Sequence, residues 1–316
     1  MSFLRLPFFD AVADAETILL AGAGGGYDIF CGLPLYFGLR SRGKTVHLAN
    51  LSFSRLYATK GKRLGTALVE VTADIQSALP YFPELHLARW LKKQGEPGVI
   101  YGIDRTGARP IAEAYRTLQE RLKPDAVILV DGGTDSLMRG DEAGLGTPEE
   151  DIASIAAVDA LDVPAKLLVC LGFGVDTFHG VCHAQFLEAV AEITRAGGFL
   201  GAWSLTREMP EVQRYIEAVD YVQGIMFNNP SIVSSSIVSA IEGRFGDHHR
   251  VYRTEGSQLF INALMTLYWS FRLDPVARRI LYLDQIRDTE TGHDLSHAIG
   301  VFYTLHDSKP WVDLPM

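Results

Sequence analysis

Short apolar runs alternate with segments whose apolar residues recur every three or four positions, along nearly the whole chain. Each run is a candidate strand and each periodic segment a candidate helix. Thr17 to Ala23 is the first run, and Ile29 to Arg42 the helix after it. Thr45 to Leu51 and Ala67 to Val71 follow as strands, then Pro83 to Lys93 as a helix. Val99 to Ile103 predicts a strand, and Ile111, Tyr115, Leu118 and Leu122 line one face of the next helix. Ala126 to Val130 is wholly apolar between Lys123-Pro124-Asp125 and Asp131-Gly132-Gly133, the pattern of a strand buried on both faces of a parallel sheet. Thr147-Pro148-Glu149-Glu150 opens the next helix, with a capping hydroxyl, proline at the first position and acids in the first turn. Lys166 to Leu171, Phe199 to Leu205 and Ile225 to Phe227 read as further strands, with periodic helices after each. Leu264 to Phe271 fits strand or helix, and Ile280 to Tyr303 fits a helix.

Regular alternation of strand and helix predicts a doubly wound, Rossmann-like α/β fold, its mostly parallel sheet covered by helices on both faces. We expect one domain over residues 1–316, with 251–316 as a helical C-terminal extension packed on it. The 316 residues are 47% hydrophobic and 21% charged, enough to bury a sizeable core. The formal net charge of −9 opposes a general nucleic-acid binder, which needs a basic face. Three cysteines, Cys31, Cys170 and Cys182, are too few and too odd in number for a disulfide framework and suggest a reducing compartment. The stretch up to Glu16 lacks a basic region leading into an apolar one, so no signal peptide is expected. The longest apolar run, Leu259 to Phe271, is too short to cross a bilayer. The expectation is a soluble cytoplasmic protein with neither nucleic acid nor membrane as a partner, and with self-association into a homo-oligomer left open.

Two glycine motifs need their context. Gly38 to Thr45 matches the phosphate-loop pattern GxxxxGK[ST] letter for letter. That chemistry needs a loop that follows a strand and opens a helix, and here the segment closes a helix and opens a strand. Gly22-Ala23-Gly24-Gly25-Gly26-Tyr27-Asp28 has the right context, but Tyr27 stands where the dinucleotide pattern needs glycine, and the second strand ends at Asn50 rather than an acid. No standard NAD site is expected. The run of glycines still admits a ligand close to the backbone.

In an open parallel sheet, ligands bind beyond the carboxyl ends of the strands. This chain places there Gly24, Gly25, Gly26 and Asp28, then Asp131, Gly132, Gly133 and Asp135, then Asp176, with Asn228 after the Ile225 run. Clustered carboxylates repel one another unless a cation or a shared proton offsets them. Asp131 and Asp135, with Asp28 as a further candidate, are therefore read as ligands of Mg²⁺, a hard ion that prefers oxygen. Helix capping is the competing explanation. Arg55, Lys60, Lys62 and Arg63 put four positive charges in a short loop, either a solvated loop or a flap over a phosphate. His179 and His183 have a metal-ligand spacing if helical, but Gly180 replaces the glutamate of a zinc-protease motif. His179 beside Asp176 fits a general acid or base better.

The segments Gly24 to Leu35 and Val130 to Asp135 resemble a family of archaeal and bacterial proteins of unknown function. The resemblance extends loosely over most of the chain. It implies a Rossmann-type α/β fold with glycine- and aspartate-rich strand ends, and a site there, but no activity. His179 to His183 is not a feature of that family. From the residues themselves we expect a metabolic hydrolase or group transferase acting on a phosphorylated nucleotide-like or sugar-like molecule. Asp131, Asp135, Asp176 and His179 would be the catalytic residues, and Gly24, Gly25, Gly26, Asp28, Gly132, Gly133 and Asn228 the binding residues. The alternative is a nucleotide-binding sensor without turnover.

Overall fold

A computed structural model describes residues 5–314, so the first four residues of the N-terminal stretch read above lie outside them. Nine strands form one sheet: β1 (Thr17–Gly22), β2 (Thr45–Ser52), β3 (Lys62–Gly65), β4 (Leu68–Thr72), β5 (Val99–Asp104), β6 (Ala126–Asp131), β7 (Ala165–Leu171), β8 (Phe199–Ser204) and β9 (Leu267–Arg272). Their order is β3-β4-β5-β2-β1-β6-β7-β9-β8. The run β5-β2-β1-β6-β7 is parallel throughout. An antiparallel hairpin, β3 and β4, extends one side, and β9 and β8 extend the other.

The helices are α1 (Pro7–Ala11), α2 (Asp28–Cys31), α3 (Leu33–Ser41), α4 (Pro83–Lys93), α5 (Ala108–Leu122), α6 (Pro148–Asp159), α7 (His183–Arg195), α8 (Pro210–Ile225), α9 (Ile232–Ile241), α10 (Leu273–Ala277), α11 (Leu283–Ile286) and α12 (Gly292–Leu305). Because side chains alternate across a strand, β6 sends Val127 and Leu129 into the layer of α5, α6 and α7, and Ile128 and Val130 into the layer of α3, α8 and α9. All are fully buried. Each such side chain contributes about 1.5–3 kcal/mol of burial, which is why the unbroken apolar run marks this strand. Among the described residues no helix is long and apolar enough to cross a membrane.

Several expectations change. Ile29 to Arg42 is two helices, α2 and α3, meeting at Gly32. Ile225 to Phe227 is not a strand: α8 runs through Ile225, exposed at its last position, and Phe227 is exposed in the turn that follows. Leu264 to Phe271 resolves into a 3₁₀ turn and β9, and β9 lies between β7 and β8 rather than packing outside the sheet. Two helices, α11 and α12, replace the single helix expected over Ile280 to Tyr303.

The segment Gly38 to Thr45 does close α3 and open β2, with Gly43 at φ 81°. Lys44 Nζ donates to the carbonyls of Ala13 at 2.8 Å and Ala15 at 2.6 Å, fastening the loop before β1. Lys44→Ala is therefore expected to lower the melting temperature by about a degree or two and to leave any nucleotide binding unchanged. Loss of ligand binding at an unchanged melting temperature would restore the phosphate-loop reading.

Strand order reverses between β1 and β6. The chain leaves β1 for α2 and α3 on one face and leaves β6 for α6 on the other. Such a reversal opens a crevice at the carboxyl ends of the two strands.

Candidate functional site

The turn after β1 is built around carboxylates. A Cβ on Gly24 would lie 2.7 Å from Asp151 Oδ2 and 2.8 Å from Asp28 Oδ2, so any side chain there would evict both. Gly25 has φ 91°, in the region that L-residues avoid. The Gly24 amide donates to Asp28 Oδ2 at 2.7 Å. Behind the turn, Asn50 Nδ2 donates to the Gly26 carbonyl at 3.0 Å and to Glu84 Oε1 at 2.8 Å. Asn50 at the end of β2 is thus a brace for the turn.

Three more aspartates are fixed in the same manner. Asp131 ends β6, and its Oδ2 accepts from the Ser136 amide at 3.2 Å and from the Ser136 hydroxyl. Asp135 Oδ2 accepts from the Thr147 amide at 2.8 Å and hydroxyl at 3.0 Å. Thr147 was expected to cap α6, and its hydroxyl serves Asp135 instead. Asp176 Oδ2 accepts from the Thr134 amide at 2.6 Å. Gly132 and Gly133 let these groups approach: a Cβ on them would lie 2.7 Å from Asp28 Oδ1 and 2.5 Å from Asp176 Oδ2.

Asp151, in the first turn of α6, completes the cluster. One carboxylate oxygen from each of Asp28, Asp131 and Asp151 lies within 4.8 Å of the others. Asp151 is 1% exposed, and its Oδ1 is buried with no hydrogen-bond partner. Of the expected metal pair, Asp131 belongs to this group and Asp135 is not among the three; its Oδ2 is engaged by Thr147. Asp151 went unnoticed in the sequence because three acids after a proline are what a helix N-terminus favours anyway.

Burial pushes the carboxyls of Asp28, Asp131, Asp135, Asp151 and Asp176 above the usual range. For Asp28, Asp131, Asp151 and Asp176, repulsion from neighbouring aspartates adds to the shift. Glu150 is raised to about 7, again by burial first, although Arg105 opposes the shift. A divalent cation would reverse these shifts by favouring the ionised forms.

The carboxylates open into a cleft of about 600 Å³. His179, exposed, stands at its edge, as do Arg105, Arg253 and the first residues of α9. Its positive groups are not the ones expected. Arg55, Lys60, Lys62 and Arg63 do not line it; Arg63 pairs with Asp104 at 3.0 Å. His183 faces a separate cavity and meets Thr177 Oγ1 at 3.1 Å, so the two histidines do not converge. Asn228 lies in the α8–α9 turn, where its carbonyl accepts from Tyr252, and Asn229 reaches the cleft instead. Neither arginine carried a sequence signal, since each sits singly in a loop.

No curated protein matches this chain. A family model described as "Protein of unknown function (DUF1152)" matches residues 63–303. Val130 to Asp135 falls inside that span and Gly24 to Leu35 precedes it. The match covers well over half of the residues, and the chain belongs to this family of proteins of unknown function.

Proposed function

We propose that the protein is an enzyme, a hydrolase or group transferase, that uses Mg²⁺ to act on a phosphorylated small molecule. The observation that supports this most directly is the convergence of Asp28, Asp131 and Asp151, with Asp151 Oδ1 buried and unpartnered. An anionic oxygen without a donor costs several kcal/mol unless protonated or bound to a cation. Three hard oxygen donors suit Mg²⁺, which would supply a Lewis acid for a phosphoryl oxygen.

The chain's own groups fill the remaining roles. The Ser231 hydroxyl caps the Ser234 amide at 3.0 Å. Ile232 and Val233, whose amides have no intrahelical acceptor, line the cleft with Arg253. Together these would hold phosphate oxygens. Asp176, fixed by Thr134 with its proton favoured by burial, and His179 would move the proton of water or hydroxyl. The glycines would keep the backbone close to the ligand. Because the acids outnumber Arg105 and Arg253, a phosphate should bind well only after the cation.

The test is calorimetric titration of Mg²⁺ and Mn²⁺, followed by ³¹P NMR of phosphorylated metabolites incubated with the protein, with and without EDTA. We expect saturable cation binding and metal-dependent turnover. Absence of cation binding, or turnover indifferent to EDTA, would overturn the reading; ligand binding without turnover would favour a sensor.

A further inference from the structure

We propose that the phosphorylated ligand is a nucleotide whose base stacks on the ring of Phe53 beside Arg105. This rests on the reading of the cleft as the site of a phosphate ligand. Phe53 follows β2 and is 45% exposed at the wall of the cleft. A single exposed aromatic is ordinary on a surface, but this one is fixed in place and in company. Its ring lies flush on the glycine turn: a Cβ on Gly25 would sit 2.6 Å from Phe53 Cε1, and one on Gly26 3.3 Å from Phe53 Cδ2. The guanidinium carbon of Arg105 stands 5.5 Å from the ring centroid. Arg105 Nε is held in turn by Glu150 Oε1 at 2.9 Å, one residue before Asp151. The Phe–Arg pair is thus anchored on both sides to the elements that carry the proposed cation ligands.

The same pair also lines a second cavity of about 550 Å³, whose walls include Ser52, Arg55, Tyr57 and Asp104. Phe53 and Arg105 therefore form a ridge between two cavities. A sugar phosphate needs only the first. A planar base joined to that sugar reaches the ridge, where a phenyl ring and a guanidinium both favour stacking. The polar groups beyond it, Ser52, Arg55 and Asp104, offer both donors and acceptors to the edge of a base. Of the basic segment after β2, Arg55 lines this second cavity.

The probes are the four ribonucleoside 5′-monophosphates and ribose 5-phosphate, each titrated calorimetrically with saturating Mg²⁺ into wild type, Phe53→Ala and Phe53→Trp. We expect at least one nucleotide to bind wild type tenfold or more tighter than ribose 5-phosphate. Phe53→Ala should lose about ten- to hundredfold for that nucleotide and little for ribose 5-phosphate, and Phe53→Trp should retain it. Ribose 5-phosphate matching every nucleotide, Phe53→Ala weakening both alike, or no nucleotide binding at millimolar concentration would each overturn the proposal. Repeating the titration in EDTA separates the two readings. Phe53-dependent nucleotide binding that survives EDTA upholds the base site and sinks the cation site.

Discussion

Mg²⁺ titrated into Asp151→Asn is expected to give no saturable heat, while the unliganded variant melts a few degrees above wild type. Both effects come from one charge. In the proposed site Asp151 would supply a third anionic oxygen beside Asp28 and Asp131, and losing a direct ligand should weaken binding by at least ~100-fold. Without the cation, Asp151 is a buried carboxyl raised by burial and by repulsion from Asp131, Asp135 and Asp28, with one oxygen unpaired. The asparagine amide keeps the shape and removes the charge. Relieving such a group is worth on the order of 1–3 kcal/mol, a few degrees in a chain of this size. Asp135→Asn is the control: it should cost only a few-fold in affinity, because Asp135 acts on the cluster through charge. If Asp151→Asn binds Mg²⁺ as wild type does, the three-aspartate site is wrong.

The unliganded protein should also lose stability as pH rises from about 4.5 to about 7, the interval over which Glu150 titrates differently folded and unfolded, and saturating Mg²⁺ should reduce that loss. A carboxyl whose folded pKa lies above its unfolded value binds more protons when folded, so raising pH through that interval destabilises the fold. Asp28, Asp131, Asp135, Asp151, Asp176 and Glu150 all shift that way. Glu150 alone, raised from 4.5 to about 7, contributes about 3 kcal/mol across its window. Half-buried His47, His86 and His183 are shifted downward by burial and work against this trend, adding stability as pH rises toward neutrality. Three half-buried imidazoles do not outweigh six buried carboxyls, and above about pH 7.5 the imidazoles no longer titrate in either state. Asp141 and Glu192, lowered with help from Arg139 and Arg279, lose their contribution only on the acid side. Thermal melts across this range, with and without Mg²⁺, give the answer. A flat or rising unliganded profile would mean the carboxylates are not strained.

The parallel core was legible in the sequence because burial on both faces leaves no polar residue in a strand, as in Ala126 to Val130. The strand ends were legible for the same reason, since polarity resumes at Asp131, the last residue of β6, and in the turn after β7 that carries Asp176. Three things were hidden. Ile225 to Phe227 carries a strand's composition, but α8 is long enough to absorb its first residue, Met226 is buried against the core and Phe227 faces solvent. Asp151 was masked by a local rule that accounts for acids at helix starts without any site. Arg105, Arg253 and Phe53 come from separate loops, and only tertiary structure brings them to one cleft. The glycines read as space for a ligand also serve the protein's own groups: at Gly24 and Gly133 a Cβ would meet the carboxylates of Asp28, Asp151 and Asp176.

The insertion of β9 between β7 and β8 bears on how the chain is made. Ribosomes deliver residues 165–204 long before residues 267–272. Until then β8 has no hydrogen-bonded neighbour and β7 presents an open parallel edge, because β9 is the partner of both. Nascent chains with unpaired, apolar strand edges are the species that aggregate or recruit chaperones. Closure of this sheet is therefore a late event, and a chain released before Arg272 would expose a sticky edge on β7, the strand whose following turn carries Asp176.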